Sequence, residues 1–151
     1  MYHAIVRARV RSLWKSIEAG DYRTATATAA PDIEFRFVGD TPLAAQINDE
    51  VSFERWFAEV FAFLPGIRLS LVDVVVSGPP SNTTIAARLR IAATLADGTE
   101  YRNQAVQWAR LRWGRLTFDE ILFDTLALNA ACEVQLAAGY RPPTASNIQA
   151  A

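Results

Sequence analysis

Residues 67–124 constrain this chain more than any other stretch. They hold apolar-rich segments joined by three short links, "GPPSN", "ADGT" and "RWGR", each with a glycine. Links this short cannot carry a crossover, so the segments they join must run antiparallel as hairpins. The spacing predicts four strands, at 67–77, about 83–96, about 100–112 and 115–124. An earlier stretch, "DIEFRFV", alternates in the same way, with Ile33, Phe35 and Phe37 on one face and Glu34 and Arg36 on the other.

Helical patterns surround these strands. Val6, Val10, Leu13, Trp14 and Ile17 recur at helical spacing over residues 3–19, and Gly20 ends the run. "DYRTATATAA" predicts a second short helix that stops before Pro31. "VSFERWFAEVFAFL" is the strongest helical signal: Phe53, Trp56, Phe57, Val60, Phe61 and Leu64 form one stripe, ended by Pro65 and Gly66. "TLALNAACEVQLAAG" predicts a closing helix capped by Asp124 or Thr125. The order implies an α+β fold: a cone-shaped, curved, mostly antiparallel sheet, three helices from the N-terminal half on its concave face, and a C-terminal helix. One domain is expected over residues 1–139, with a flexible tail over 140–151.

Composition narrows the function classes. Fifteen basic against sixteen acidic residues leave a net charge of -1, without the basic excess of a protein that tracks nucleic-acid backbones. Cys132 and His3 are the only residues of their types, which excludes an internal disulfide and any cysteine- or histidine-rich metal site. No apolar run approaches membrane-spanning or signal-peptide length, so a cytoplasmic protein is expected. No cofactor or metal is expected. A cone of helices against a bent sheet offers a small-molecule pocket.

Three stretches, "PDIEFRFVGDTPLA", "DGTEYRN" and "GRLTFDEILFDT", resemble the nuclear transport factor 2-like superfamily. Within it the chain is most similar to the SnoaL-like and limonene epoxide hydrolase-like branch, over about residues 3–138. The resemblance implies the cone fold, a homodimer, and a pocket at the positions of Arg88, Asn103, Ala105, Ile121 and Phe123. It does not fix an activity, since this fold hosts isomerases, cyclases, hydrolases and non-catalytic binders. The epoxide hydrolase pattern is mostly missing: Arg88 matches its arginine, but Arg90 and Ile121 stand in place of aspartates, and Phe35 and Phe37 in place of the water-holding tyrosine and asparagine. Of the ketosteroid isomerase pattern, only Tyr22 offers a phenol donor.

Candidate site residues follow from hairpin register. A two-residue Asp97-Gly98 turn would pair Ala96 with Thr99, Arg90 with Ala105 and Arg88 with Gln107. A three-residue loop with Gly114 as a left-handed bulge would pair Leu111 with Arg115 and put Gln107 opposite Asp119. The inward set is then Arg88, Arg90, Asn103, Gln107, Asp119, Ile121 and Phe123, with Phe35 and Phe37. A two-residue turn at Trp113-Gly114 would instead turn Glu120 and Asp124 inward. Trp14, Tyr22 and Trp56 are candidate pocket wall. Three roles for the charged set stay open: an Arg88–Asp119 structural ion pair, a spare arginine for an anionic ligand, or Asp119 as general acid or base. Val72, Val74 and Val76, with Ile85, Leu89 and Ile91, are expected to make an apolar outer face that a second subunit covers, with Tyr101 and Trp108 also outside. Three functions remain: a cofactor-free acid–base enzyme on a small hydrophobic or weakly anionic molecule, with Asp119 and Arg88 catalytic; a binder without catalysis; or an assembly domain.

Overall fold

A computed structural model describes residues 1–143. Its elements are α1 (Tyr2–Glu18), α2 (Arg23–Thr26), β1 (Ala29–Phe37), β2 (Ala45–Ile47), α3 (Glu50–Phe63), β3 (Arg68–Ser77), β4 (Thr83–Thr94), β5 (Glu100–Arg112), β6 (Arg115–Phe123) and α4 (Thr125–Ala137). The strands form one six-stranded sheet in the order β2-β1-β6-β5-β4-β3. All neighbours are antiparallel except β1 and β6. No helix among the described residues is long and apolar enough to cross a membrane. Residues 144–151, most of the expected tail, lie outside the described residues.

Two elements differ from the sequence reading. The second helix is only Arg23–Thr26, and the chain is already strand at Ala29. Pro31 is tolerated in that strand because the β1–β6 ladder is irregular between Ala29 and Glu34, and β2 pairs only with Phe35–Phe37. The connector "GDTPLAAQIND" contains β2, too short for its alternation to register as a pattern.

The core lies between the concave face and the helices. Val6, Val10, Trp14 and Ile17 of α1 are buried, as are Phe53, Trp56, Phe57, Val60 and Phe63 of α3. Phe35 of β1 is fully sealed, its ring 5.0 Å from Phe53 and 4.8 Å from Trp56, centroid to centroid. Each such ring pair adds about 0.5–1.5 kcal/mol beyond simple burial. Asp49 caps α3 by accepting the Ser52 amide at 2.7 Å. Asp124 caps α4 through the Leu126 and Ala127 amides, as the sequence implied.

Gln135 fastens α4 to two other elements. Its Oε1 accepts from the Ala96 amide in the β4–β5 turn, and its Nε2 donates to the Phe63 carbonyl at the end of α3, both at 2.7 Å. The side chain is 1% exposed, so these backbone groups depend on it rather than on water. Gln135→Leu is expected to orphan both and to lower the unfolding free energy by roughly 2–4 kcal/mol, read from urea denaturation. An unchanged midpoint and slope would show that the turn and α3 are held otherwise.

Candidate functional site

Strand register decides which side chains face the interior, and both hairpins depart from the simplest reading. In the β4–β5 link the last paired residues are Thr94 and Glu100. Leu95 then donates to the Thr99 carbonyl at 2.8 Å, and Gly98 (φ +85°) donates back to Leu95. The loop is thus three residues, Ala96-Asp97-Gly98. Asp97 closes it by accepting from the Thr99 amide and hydroxyl. The extra residue shifts the pairing to Arg88↔Val106 and Ala87↔Gln107.

That slip turns β4 over relative to expectation. Arg88 and Arg90 are exposed on the outer face, away from Asp119, and neither forms the expected ion pair with it. Ile85, Leu89 and Ile91 face inward instead. A bulge at Val72 in β3 leaves Val72 outside while Val74 and Val76 enter the core. Tyr101, expected outside, is also buried.

The β5–β6 link is a two-residue turn, Trp113-Gly114, between paired Arg112 and Arg115. Alone it would put Glu120 inside. A register shift follows at once: Leu111 pairs with Leu116, but Arg110 pairs with Phe118, so Thr117 is an extra residue. The bulge restores the parity that the turn reversed. Asp119 faces inward, opposite Ala109 and diagonal to Gln107.

Asp119 is 2% exposed. Gln107 Nε2 donates to its Oδ1 at 2.9 Å, and no other hydrogen bond reaches the carboxyl group among the described residues. Burial pushes its pKa from 3.8 up to about 7, against a smaller lowering by the Gln107 hydrogen bond. Both residues line a cavity of about 280 Å³ between α1, α3 and the inner faces of β4–β6. Its walls are mainly aliphatic and aromatic: Val6, Val10, Leu13, Trp14, Phe53, Phe57 and Ile85. Thr26 and Thr28 add hydroxyls already bonded to the carbonyls of Arg23 and Ala25.

The other predicted site residues are divided among different places. Phe37, Trp56, Ile121 and Phe123 line a separate apolar cavity of about 50 Å³, and Trp14 borders both cavities. Phe35 belongs to the sealed core. Asn103 faces inward, but its Nδ2 donates to the Tyr101 hydroxyl (2.7 Å) and the Asp124 carbonyl (2.9 Å), and it lines neither cavity. Tyr22 packs on Phe57 and Phe61, outside both. Sequence reasoning missed Tyr2, Arg9 and Trp113, which border the main cavity. A signal was present for two of them: Tyr2, Val6, Arg9 and Leu13 follow i, i+4, i+7, i+11 on one face of α1. Among the described residues, no group of histidine, cysteine or carboxylate side chains could hold a metal ion.

A SnoaL-like domain profile matches residues 10–118. The chain belongs to the SnoaL-like family. Comparison with curated proteins gave no match. Among solved structures, TerC co-crystallised with polyporic acid superposes with a TM-score of 0.70 at 21% identity, over 85% of this chain and 97% of that one. An NTF2-like protein of unknown function from Burkholderia pseudomallei K96243 gives 0.67 at 19% identity, over 82% and 93%. A protein provisionally described as a SnoaL-like polyketide cyclase, from Jannaschia sp. CCS1, gives 0.63 at 18%, over 86% and 90%. These likenesses establish the fold.

Asp119 gives this protein a pH signature. The folded state holds the proton up to about pH 7, whereas the unfolded chain releases it near 3.8. Ionising the buried acid therefore costs stability progressively between those values, roughly 4 kcal/mol in full at alkaline pH. Asp119→Asn imitates the protonated acid and can still accept from Gln107. It is expected to raise the melting temperature at pH 8, with the gain shrinking as the pH falls and vanishing below about 4. A gain independent of pH would mean that Asp119 titrates normally.

Proposed function

We propose that this protein is a cofactor-independent acid–base enzyme acting on a small, mainly hydrophobic substrate, with Asp119 as the proton-transferring group. The carrying observation is a buried carboxyl group in an apolar cavity, with one hydrogen bond and a pKa near 7. Such a group is divided between its two protonation states at neutral pH. As the carboxylate it can take a proton from a carbon next to a carbonyl; as the acid it can return the proton elsewhere on the same molecule. The net reaction is an isomerisation or ring closure with no redox partner. Gln107 is a positioning residue: its amide fixes the carboxyl plane and lowers the acid's pKa. The polyporic acid bound by TerC and the cyclase description of the Jannaschia protein support substrates of this class.

The alternative is a binding protein without catalysis on the same fold, and one experiment separates the two. Enolisable aromatic ketones are screened for turnover, and binding is measured in parallel. Asp119→Asn is expected to lower turnover by about 10²–10⁴-fold with binding retained. Gln107→Leu is expected to move the inflection of the pH–rate profile upward, because the bond that lowers the acid's pKa is gone. Unaltered turnover in Asp119→Asn would remove this residue from the mechanism; binding without any turnover would favour the alternative.

We infer also that the outer face pairs with a second copy of the chain. Val106 and Leu122 lie in one cross-strand row, with Val72 beside it and Trp108 next along β5, and all four are exposed. Arg88 stands in the same row between Val106 and β3, but so many large apolar side chains exposed on one face of a sheet are a usual mark of an interface. Trp108→Glu is expected to convert a dimer into a monomer in light scattering, without loss of the monomer's helical and strand content.

A further inference from the structure

The main cavity opens beside the β5–β6 turn, and that turn is unusual. Two-residue hairpin turns with both central residues in the left-handed region favour Asn-Gly or Asp-Gly. Here the first position is Trp113 at φ +51°, the only non-glycine residue with a positive φ among the described residues, followed by Gly114 at φ +80°. A bulky side chain is disfavoured in that conformation, and residues held so tend to occur where a function over-determines them. The indole gains no offsetting burial: Trp113 is 73% exposed and has no aromatic partner among the described residues. The turn's position is nevertheless fixed, because the Trp113 amide donates to the Pro80 carbonyl at 2.8 Å.

Arg9 of α1 meets this turn. Its Nη1 lies 4.0 Å from where a Cβ on Gly114 would stand. It is the one cationic side chain bordering the cavity, and it makes no ion pair among the described residues. Asp119 and Gln107, also in the cavity wall, belong to the sheet interior. The cavity therefore offers an uncommitted cation and an uncommitted aromatic face at its opening, apolar walls, and a polar pair inside.

We propose that Arg9 and Trp113 form an entrance clamp that selects aromatic acids, holding the substrate's carboxylate or other anionic group at the opening while its apolar body fills the cavity toward Asp119. Trp113 stacks on the outer ring and the Arg9 guanidinium pairs with the anion. This orientation keeps the negative charge away from Asp119, which a like charge would disfavour in its ionised form. The proposal rests on the reading of the cavity as the substrate site and adds the substrate's class and direction of entry.

Two probes of one shape test it: 2-naphthoate, anionic at pH 8, and 2-naphthamide, neutral, both measured by calorimetry. Wild type is expected to prefer naphthoate by at least tenfold. Arg9→Gln is expected to erase the preference while leaving naphthamide binding unchanged, and Arg9→Lys to keep part of it. Trp113→Asn supplies the residue the turn favours, so the melting temperature is expected to hold or rise while both affinities fall about tenfold. That pairing of better folding with poorer binding is not expected of a structural tryptophan. A preference retained in Arg9→Gln, or affinities retained in Trp113→Asn, would overturn the clamp. If those variants bind like wild type while Asp119→Asn loses turnover, the clamp fails and the Asp119 reading stands. If neither probe binds wild type at millimolar concentration, the clamp fails, and the Asp119 reading is decided by the turnover screen alone.

Discussion

The site exists because one extra residue sits in β6. Side chains in a strand alternate faces, so every insertion upstream of Asp119 decides whether that acid meets water or the cone interior. The Trp113-Gly114 turn sets one parity and the bulge at Thr117 sets the other back. β6 cannot slide to relieve the irregularity, because it is paired on both sides, with β5 antiparallel and β1 parallel. The pairing Phe35↔Asp119 ties the acid's position to a fully sealed ring of the core. Packing of Phe35 against Phe53 and Trp56 thus fixes the carboxyl group, and a site built on such elements is held more closely than one on loops.

Once inside, the acid is governed by what does not accompany it. An arginine within reach would hold the carboxylate ionised and its pKa low. Arg88 and Arg90 lie on the other side of the sheet, and among the described residues the only direct partner is a neutral amide. Desolvation therefore prevails, and the proton is retained to near-neutral pH. Tyr101, pushed by burial to about 12, stays a neutral phenol, and Cys132, pushed up to about 11, stays a thiol. Asp119 is left as the buried group able to change charge near pH 7.

The sequence made the architecture legible because its signals were long. Eleven residues of β5, Glu100 to Arg110, alternate without a break in burial, and α3 carries a full apolar stripe. The candidate site was legible only in part, because it hangs on turns of one or two residues. "ADGT" suits a two-residue turn or a three-residue loop equally well by composition, and the difference moved Arg88 and Arg90 from inside to outside. For β6 two departures cancelled: the turn at Trp113 was shorter than expected, and the Thr117 bulge left no mark in the sequence, since threonine is an ordinary strand residue. Asp119 was placed inward by way of a register that differs from the one the chain adopts. The mouth was missed for another reason. Arg9 reads as the polar side of an amphipathic helix, and Trp113 as a turn residue, until the cavity shows what lies between them.

The outward arginines also settle what remained of the epoxide hydrolase pattern. Its five positions are held by Arg88, Arg90, Phe35, Phe37 and Ile121. The two polar ones face away from the interior, while Phe35 and Ile121 are buried and Phe37 borders only the smaller apolar cavity. Activating a water requires several polar groups to hold and deprotonate it, and none is presented there. The acid that is present stands two residues before Ile121 on the same face of the strand, in the larger cavity rather than the smaller one. Relative to that pattern, the buried acid stands one step along the inner face of β6, toward the opening between α1 and the β5–β6 turn. Apart from Gln107, the wall around Asp119 is mainly apolar. That arrangement suits moving a proton within one bound molecule better than delivering water to it, because bulk water is kept from the one group that could activate it.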